Sequence, residues 1–358
     1  MLYRKRLQAV LFHRISMCLK ARKRGTPRSY KYESFNISKY IETAEKLNIE
    51  VTPVGFGCYE FKKGNINRRI MNGLTDRESA LAYKLCGNKY LTYKILLNNG
   101  IKNIPKHQLY TFRDIDKTYN DFRDWGCRVV IKPCSATSCG EGVTVDIKTI
   151  KELKNAIAQS FVFDRKYYLM EQFVEGSHFR VLTLNGNFIA CSQRTSARII
   201  GNGKDSIKKL ILKENKKRSE NTNEKALCSI LFDNELTRKL KRLNKTIHSV
   251  LKNGEEIYVK DVVNLHTGGE VLKIENVSEG IKKVCKRIAN FLNIYLAGFD
   301  IITSDINKSL DETGGVINEV NTTPGLDVIY KVTNCDADID IAEIILRDMF
   351  NISEHQRL

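Results

Sequence analysis

Residues 314–326 have the sequence GGVINEVNTTPGL, in which polar residues lie among apolar ones. Its apolar, mostly β-branched positions are typical of a short buried strand. Glu319 and Asn321 are two positions apart, so on a strand their side chains lie on the same face. A carboxylate and an amide oxygen on one face suit Mg²⁺ that is bound together with phosphates. The pattern also fits a core strand with a polar end, and the strand alone does not separate the two interpretations.

A second carboxylate occurs in an apolar strand just before this stretch. Residues 297–302 have the sequence AGFDII, in which Asp300 is costly to bury unless it is paired or binds a metal. We expect this strand to pair antiparallel with the one that carries Glu319 and Asn321. Three oxygen ligands on adjacent strands can hold two Mg²⁺ ions that bridge triphosphate oxygens. Taken alone, Asp300 also fits an ordinary polar residue at a strand end.

A strand followed by a loop of small residues occurs at 129–143, with the sequence VVIKPCSATSCGEGV. Small residues let backbone N–H groups close on a phosphate, and Lys132 at the strand end adds a point charge. The loop is not a Walker A loop, because no Gly-Lys-Ser/Thr follows. An ordinary β-turn is the alternative interpretation.

A third motif spans 168–180, with the sequence YLMEQFVEGSHFR. A strand that ends in a hinge exposes backbone N–H and C=O groups that can pair with an adenine edge, and Glu171 can accept from the exocyclic amine. The alternative is that Glu171 is a surface residue at a strand end.

Composition limits the class of protein. The chain has 358 residues, of which 42% are hydrophobic and 28% charged, which predicts a globular protein of two or three subdomains. No apolar run approaches the roughly 20 residues needed to span a bilayer, so no transmembrane segment is expected. A net charge of +18 admits nucleic acid, an anionic membrane surface or an anionic substrate. No zinc-finger spacing and no aromatic RNA-binding signature occurs, so no nucleic acid is expected.

The ten cysteines include no CxxC pair, and reduced thiols in a cytoplasmic protein are the simplest interpretation. Cys134 and Cys139 are expected to fill loop positions rather than act as nucleophiles. Residues 1–32 are basic, with apolar residues at helical spacing, which fits a transit peptide, a surface helix or a basic anchor.

Periodicity and turn residues predict the secondary structure. Helices are expected over 37–47, 75–86, 89–98, 150–159, 206–217, 236–251 and 279–292. Strands are expected over 49–51, 59–61, 129–131, 167–170, 257–263 and 297–302, with a hairpin around Asn185-Gly186.

The order of these motifs resembles that of the ATP-grasp superfamily. The residues that carry the likeness lie in LTDRESALAYKLCGNKYLTYKILLNNGI, EGSHFRVLTLNGNFIACSQRTSARIIGNGKDSIKKLI, NLHTGGEV and INEVNTTPGL. These segments are similar to the ATP-grasp modules of cyanophycin synthetase and of bifunctional glutamate–cysteine ligase/glutathione synthetase. The likeness runs from about Ile41 to about Tyr330.

The resemblance implies an α+β protein with the ATP-grasp fold, in which two α/β subdomains clasp ATP between antiparallel sheets. The expected division is a basic N-terminal segment (1–32), a small α/β region (33–87), a lid subdomain (88–175) and a C-terminal subdomain with the magnesium site (176–350).

The resemblance also implies a role for each matching residue. The ATP-binding residues would be Lys89, Lys132, Ser135, Ser138, Gly140, Gly142, Glu171, Gln172, Val174 and His178. The metal ligands would be Asp300, Glu319 and Asn321, and the catalytic arginines would be Arg180, Arg194 and Arg218. His178 stands where the family usually has an acidic residue on the ribose hydroxyls, although a histidine can also bind a hydroxyl.

The implied activity is that of a carboxylate–amine ligase that forms an amide or peptide bond through an acyl phosphate. ATP and two Mg²⁺ ions are the implied cofactors, with Mn²⁺ as an alternative metal. The substrate would be an amino acid or a peptide, and the basic charge suits an acidic one. Relatives often form homo-oligomers. The competing hypotheses are an ATP-grasp kinase that leaves phosphate on a small molecule, and a non-catalytic nucleotide-binding module.

Overall fold

Antiparallel sheets with helices packed on them make up the computed structural model, which describes residues 4–11, 35–135, 141–220, 227–263, 265–334 and 339–353. These residues confirm the predicted α+β class. No helix within them is long and apolar enough to cross a membrane. The domain boundaries stay predictions.

The N-terminal part is a helix-covered sheet. Its elements are helix α1 (residues 4–11), α2 (Phe35–Lys46), β1 (Glu50–Gly55), β2 (Cys58–Lys63), β3 (Ile66–Met71), β4 (Leu74–Thr75) and α3 (Ala80–Cys86). The predicted start of a helix at Thr75 is wrong, because Leu74 and Thr75 pair with β3. Helix α3 begins later, where the Ser79 side chain accepts from the Ala82 N–H.

The next sheet has the strand order β5-β8-β6-β7 and carries the lysine and hinge motifs. The elements are α4 (Lys89–Asn98), β5 (His107–Thr111), α5 (Ile115–Trp125), β6 (Val129–Pro133), β7 (Thr144–Ile147), α6 (Ile150–Phe163) and β8 (Tyr167–Gln172). Helix α6 begins at a capping box in which Thr149 and Glu152 bind each other's backbone N–H groups. Its buried face packs on β6 and β8 around Ile131, Ile157 and Tyr168.

The largest sheet has the strand order β13-β10-β9-β14-β15. Its strands and the helix on one face are β9 (Ser177–Leu184), β10 (Asn187–Thr195), β13 (Glu270–Ile274), α9 (Glu279–Leu292), β14 (Leu296–Thr303) and β15 (Val316–Asn321). Short helices follow as α10 (Leu310–Thr313), α11 (Asp327–Tyr330) and α12 (Ile341–Met349). Leu182, Leu184 and Leu296 pack with α2 and α12 in one core cluster, which covers part of the face opposite α9.

A small unit follows β10 and contains β11 (Arg198–Ile200), α7 (Ile207–Glu220), α8 (Asn234–Arg242) and β12 (Glu256–Tyr258). The predicted helix over 236–251 is wrong beyond Arg242. Asn244 adopts a left-handed conformation with φ of 52°, and the following residues instead accept hydrogen bonds from the start of α7 through Ile247 O and Ser249 O. The predicted strand over 257–263 is likewise shorter, because it pairs only as far as Tyr258.

Candidate active site

One face of the largest sheet brings together the charged residues that the sequence singled out. Arg180 on β9 lies opposite Asp300 on β14, and Asp300 lies opposite Glu319 on β15. Asn321 lies opposite Gly298 in the same ladder. Directly opposite residues in an antiparallel pair have their side chains on one face. The register therefore places Arg180, Asp300, Glu319 and Asn321 on a common face.

Two arginines hold the buried carboxylate of Asp300. Arg180 Nε lies 2.5 Å from Asp300 Oδ1, and Arg194 Nη2 lies 3.0 Å from the same oxygen. Burial acts to raise the pKa of Asp300, but the two guanidinium groups outweigh it and hold that pKa below its usual value. Asp300 is therefore an ionised carboxylate, as a metal ligand must be.

The neighbouring strand contributes the other two predicted ligands. Lys89, the first residue of α4, reaches β15 and places its Nζ 3.2 Å from Glu319 Oε1. Asn321 Nδ2 donates to Gly298 O at 3.4 Å, which turns the amide nitrogen toward β14. Lys89 and Glu319, predicted as phosphate and metal contacts, are thus brought together.

The donor set on this face fits magnesium. Two carboxylates and one amide oxygen are hard ligands, and Mg²⁺ in phosphate sites typically takes one or two carboxylates while phosphate oxygens and waters complete its shell. Within the described ranges no group of three or more His, Cys, Asp or Glu side chains could hold a metal. Any ion on this face would accordingly depend on substrate oxygens.

Lys132 and Glu171 form a buried ion pair on the β5-β8-β6-β7 sheet, called the lid sheet here because it lies in the predicted lid subdomain (88–175). Lys132 Nζ lies 2.7 Å from Glu171 Oε1, and 4% and 2% of the two side chains are exposed. The interpretation of Glu171 as a surface residue is therefore wrong. The cost of burying its charge is offset by the lysine, so the pair places an ammonium group at the end of β6.

Tyr93 on α4 completes this cluster and was not predicted from the sequence. Its hydroxyl accepts from Lys132 Nζ at 3.2 Å and donates to Asn318 O at 2.7 Å. Burial, followed by the charges of Glu171 and Glu319, raises the pKa of Tyr93 well above its usual value, so the phenol stays protonated. Tyr93 could have been predicted from its position four residues after Lys89, because that spacing places both side chains on one face of a helix.

The hinge after β8 is fixed by backbone hydrogen bonds. The N–H groups of Gln172 and Phe173 donate to Lys106 O and Arg128 O, each at 2.8 Å. A groove of about 520 Å³ runs beside the hinge and is lined by 102–106, 172–175 and residues around 310–316. Gln172 and Val174 thus lie at an opening between the β5-β8-β6-β7 sheet and the largest sheet.

The small-residue loop is described only at its two ends. Ser138, Cys139 and Gly140 lie outside the described residues, while Ser135 Oγ donates to Asp164 Oδ2 at 3.2 Å. Gly142 has φ of +72°, and a Cβ there would lie 2.6 Å from the Phe163 ring, so glycine is required.

The cysteine at the start of this loop is buried and packs beside α4. Lys89 N–H donates to Cys134 O at 3.1 Å, which joins α4 to the loop. Burial raises the pKa of the Cys134 thiol, which disfavours the thiolate that a nucleophile needs.

His178 lies on the charged face, directly opposite Arg194. Burial, with a smaller effect of Arg194, lowers the pKa of His178 to about 4, although Asp300 acts in the opposite direction. The imidazole is therefore neutral near pH 7. Its assignment to a ribose hydroxyl stays a prediction.

Arg218 occupies a different environment from the other predicted catalytic arginines. Its Nη1 donates to Cys228 O and Gly268 O, each at 2.8 Å, and its Nε donates to Glu214 at 2.7 Å. None of its hydrogen bonds or ion pairs within the described residues reaches Arg180 or Asp300. These contacts tie α7 to neighbouring loops, and a catalytic role for Arg218 stays a prediction.

Comparisons with known proteins bear on this arrangement. A sequence model described as ATP-grasp domain matches residues 86–325. Cyanophycin synthetase from Crocosphaera subtropica is 29% identical over 276 residues, which are 76% of this chain and 30% of that protein. The glutathione biosynthesis bifunctional protein GshAB from Clostridium perfringens is 27% identical over 279 residues, 76% of this chain and 35% of that protein. The chain therefore spans about a third of the length of these relatives.

A solved structure shares the fold. The crystal structure of a bifunctional glutathione synthetase from Pasteurella multocida superposes with a TM-score of 0.61 at 19% identity, over 90% of this chain and 44% of that chain. The predicted ATP-grasp fold is confirmed.

Proposed function

This chain belongs to the ATP-grasp family, and we propose that it is an ATP-dependent ligase that joins a carboxylate to an amine. The two relatives described above are named for the synthesis of cyanophycin and of glutathione. The proposed products are an amide or peptide, ADP and phosphate.

The observation that carries this proposal is the Arg180–Asp300–Arg194 cluster beside Glu319 and Asn321 on one sheet face. Such a face offers positive charge for a phosphoryl group and hard oxygens for a divalent ion. Lys89 and Lys132 add two ammonium groups that already lie against carboxylates. A triphosphate would exchange these internal contacts for its own.

In the first step an oxygen of the substrate carboxylate attacks the γ-phosphorus of ATP. The bond from the γ-phosphorus to the β–γ bridging oxygen breaks, and ADP leaves with the electron pair. Lys89 and Lys132 would hold the phosphates, and Arg180 and Arg194 would stabilise the transferred group. Bound Mg²⁺ would supply charge neutralisation at the phosphate oxygens, held by Asp300, Glu319 and Asn321.

In the second step the amine nitrogen attacks the carbonyl carbon of the acyl phosphate. Phosphate leaves with the C–O bonding electrons, and it takes up the proton that the nitrogen loses as the amide forms. Arg180 would stabilise the oxyanion that forms on the carbonyl oxygen. Ser135–Gly142 is assigned the role of covering the phosphates, which would keep water from the acyl phosphate.

We assign an amino acid or peptide as substrate, with an acidic one favoured by the net charge of +18. A cytoplasmic setting is supported by the free, buried thiols of Cys86, Cys191 and Cys285. Hinge residues Glu171, Gln172 and Val174 are assigned to adenine.

The test is an ADP-release screen of the full chain against pairs of amino acids and acidic peptides, followed by mass spectrometry of the products. A ligase releases ADP and phosphate with an amide product only when both carboxylate and amine are present. A phosphorylated small molecule that persists in the presence of amine would instead establish the kinase. Nucleotide binding without turnover for any pair would favour the non-catalytic module.

A further inference from the structure

Helix α2 lies outside residues 86–325, which match the family, yet one of its side chains reaches the turn that follows β15. We propose that Asn36 is a positioning residue that holds the turn Thr322–Gly325 as the floor of the amine pocket. This inference rests on the proposed ligase function, because it names which substrate the turn receives.

The amide of Asn36 binds the turn through both of its ends. Nδ2 donates to Pro324 O at 3.3 Å, and Oδ1 accepts from the Leu326 N–H at 2.9 Å. Only one orientation of the amide satisfies a carbonyl and an N–H at these places. The two bonds span 288 and 290 residues of sequence, so a single side chain fixes the turn to a distant helix.

Asn36 is itself held in place on both sides. The residues next to it anchor α2, because Ile37 is fully buried and the Phe35 ring lies edge-on to Tyr330 with centroids 5.8 Å apart. The turn before β4 closes on the amide from the other side. Gly73 there has φ of +91°, and a Cβ at this position would lie 2.7 Å from Asn36 Nδ2. A mobile asparagine could not set the position of the turn, whereas this one can.

The turn packs directly against the reacting face. A Cβ placed on Gly298 would lie 2.8 Å from Pro324 Cβ and 2.8 Å from Arg180 Nη1. Pro324 and the Arg180 guanidinium group therefore both pack against the backbone of β14 at Gly298. A shift of Pro324 changes the space beside Arg180, which we assign to the oxyanion.

An unsatisfied hydroxyl lies in this turn. The Thr323 Oγ1 atom is buried and has no hydrogen-bond partner within the described residues. An unmade hydrogen bond of this kind is unfavourable, and a substrate N–H on the turn would supply the partner. A hydroxyl accepts as well as donates, so it can bind a primary amine presented as the amino group of an amino acid or peptide.

The test compares Asn36→Asp and Asn36→Ala with Ser38→Ala in the full chain. The aspartate variant keeps an acceptor for the Leu326 N–H but places its second carboxylate oxygen against Pro324 O. The Ser38 hydroxyl, on the same helix, donates to Phe35 O at 2.9 Å, three residues back in the chain. The probe is the carboxylate–amine pair that gives the largest amine-dependent ADP release in the wild type.

We expect both Asn36 variants to raise the KM for the amine by about tenfold while the KM for ATP changes by less than about twofold. Ser38→Ala should match the wild type in both. An amine KM in Asn36→Asp equal to that of Ser38→Ala would overturn the inference.

Hydrogen exchange at the Leu326 amide separates this inference from the ligase proposal. Exchange should accelerate in Asn36→Ala and stay unchanged in Ser38→Ala, whether or not the wild type turns over any pair. If no pair is ligated, the proposed function fails, and unchanged exchange at Leu326 would independently refute the positioning role.

Discussion

Lys132 Nζ lies 2.7 Å from Glu171 Oε1 in a pair whose side chains are almost completely buried. Lys132 also donates to Tyr93, which in turn donates to the backbone of β15. The lysine that we assign to ATP phosphates is thus joined to its own sheet, to α4 and to β15, which carries the proposed metal ligands.

Glu171→Gln should lower the free energy of unfolding by about 3 kcal/mol, because it leaves the Lys132 ammonium buried without a countercharge. Urea unfolding followed by the fluorescence of Trp125, the chain's single tryptophan, measures this change in the lid. Glu175→Gln is the matched control, since Glu175 pairs with Arg128 at the surface with 77% of its side chain exposed. That control should change the free energy by less than about 1 kcal/mol. Equal effects of the two variants would contradict the account of the buried pair.

Asn321→Ala should raise the Mg²⁺ concentration needed for half-maximal ADP release by about tenfold, because it removes one of three oxygen ligands. Asn187→Ala is the control, since Asn187 is exposed at the start of β10, at the other end of that strand from Arg194. A magnesium titration of ADP release measures both variants. Unchanged turnover of ATP in Asn321→Ala would remove the metal assignment.

The lowered pKa of His178 should make the free energy of unfolding fall as the pH drops into the mildly acidic range. Its folded pKa of about 4 lies below the usual 6.5, so the unfolded state binds a proton in this interval and the folded state does not. This contribution to stability is complete above pH 6.5 and is lost as the pH falls toward 4. Between pH 7 and pH 5 the wild type should lose about 2 kcal/mol more unfolding free energy than His178→Gln.

Denaturant unfolding of both proteins without nucleotide at the two pH values measures this difference. Arg194 and Asp300 are the charged groups that face the imidazole, and both are kept in the variant. His248→Gln, at an exposed position, serves as the control and should follow the wild type. Parallel pH curves for His178→Gln and the wild type would contradict the expectation.

Arg242 joins the small unit after β10 to the lid. Its Nη2 donates to Asp146 O at 2.7 Å and to Glu152 Oε1 at 2.9 Å, and its Nη1 donates to Asp146 Oδ2 at 3.1 Å. Arg242→Ala should free the lid from this contact and raise the KM for ATP about fivefold, because closure over the nucleotide loses a partner. Lys241→Ala, at the exposed neighbouring position, should leave the KM unchanged. Steady-state ADP release gives both values, and an unchanged KM in Arg242→Ala would exclude a role in closure.

Helices and strands whose ends are marked by residues close in sequence were predicted well. The helices Lys89–Asn98 and Glu279–Leu292 were predicted with the bounds they have, since polar caps and periodic apolar residues mark both ends. The strands of Asp300 and Glu319 were predicted as antiparallel neighbours, because buried carboxylates and β-branched runs mark them.

Contacts between residues far apart in the chain left no comparable pattern in the sequence. The strand Leu74–Thr75 was missed because its pairing with β3 overrides a plausible helix start. The contacts of Asn36 with the 324–326 turn and of Arg242 with Asp146 join residues far apart in sequence. Periodicity shows which face of a helix or strand a residue lies on. It does not show which distant side chains contact that residue in the folded protein.

The most direct test of the ligase mechanism follows ¹⁸O from a substrate carboxylate in which both oxygens are labelled. If an acyl phosphate forms, the carboxylate oxygen that attacks the γ-phosphorus leaves with it when the amine displaces phosphate. We expect mass spectrometry to find one ¹⁸O atom in the released phosphate and one in the amide. Phosphate without ¹⁸O, or label transferred to AMP, would contradict the account.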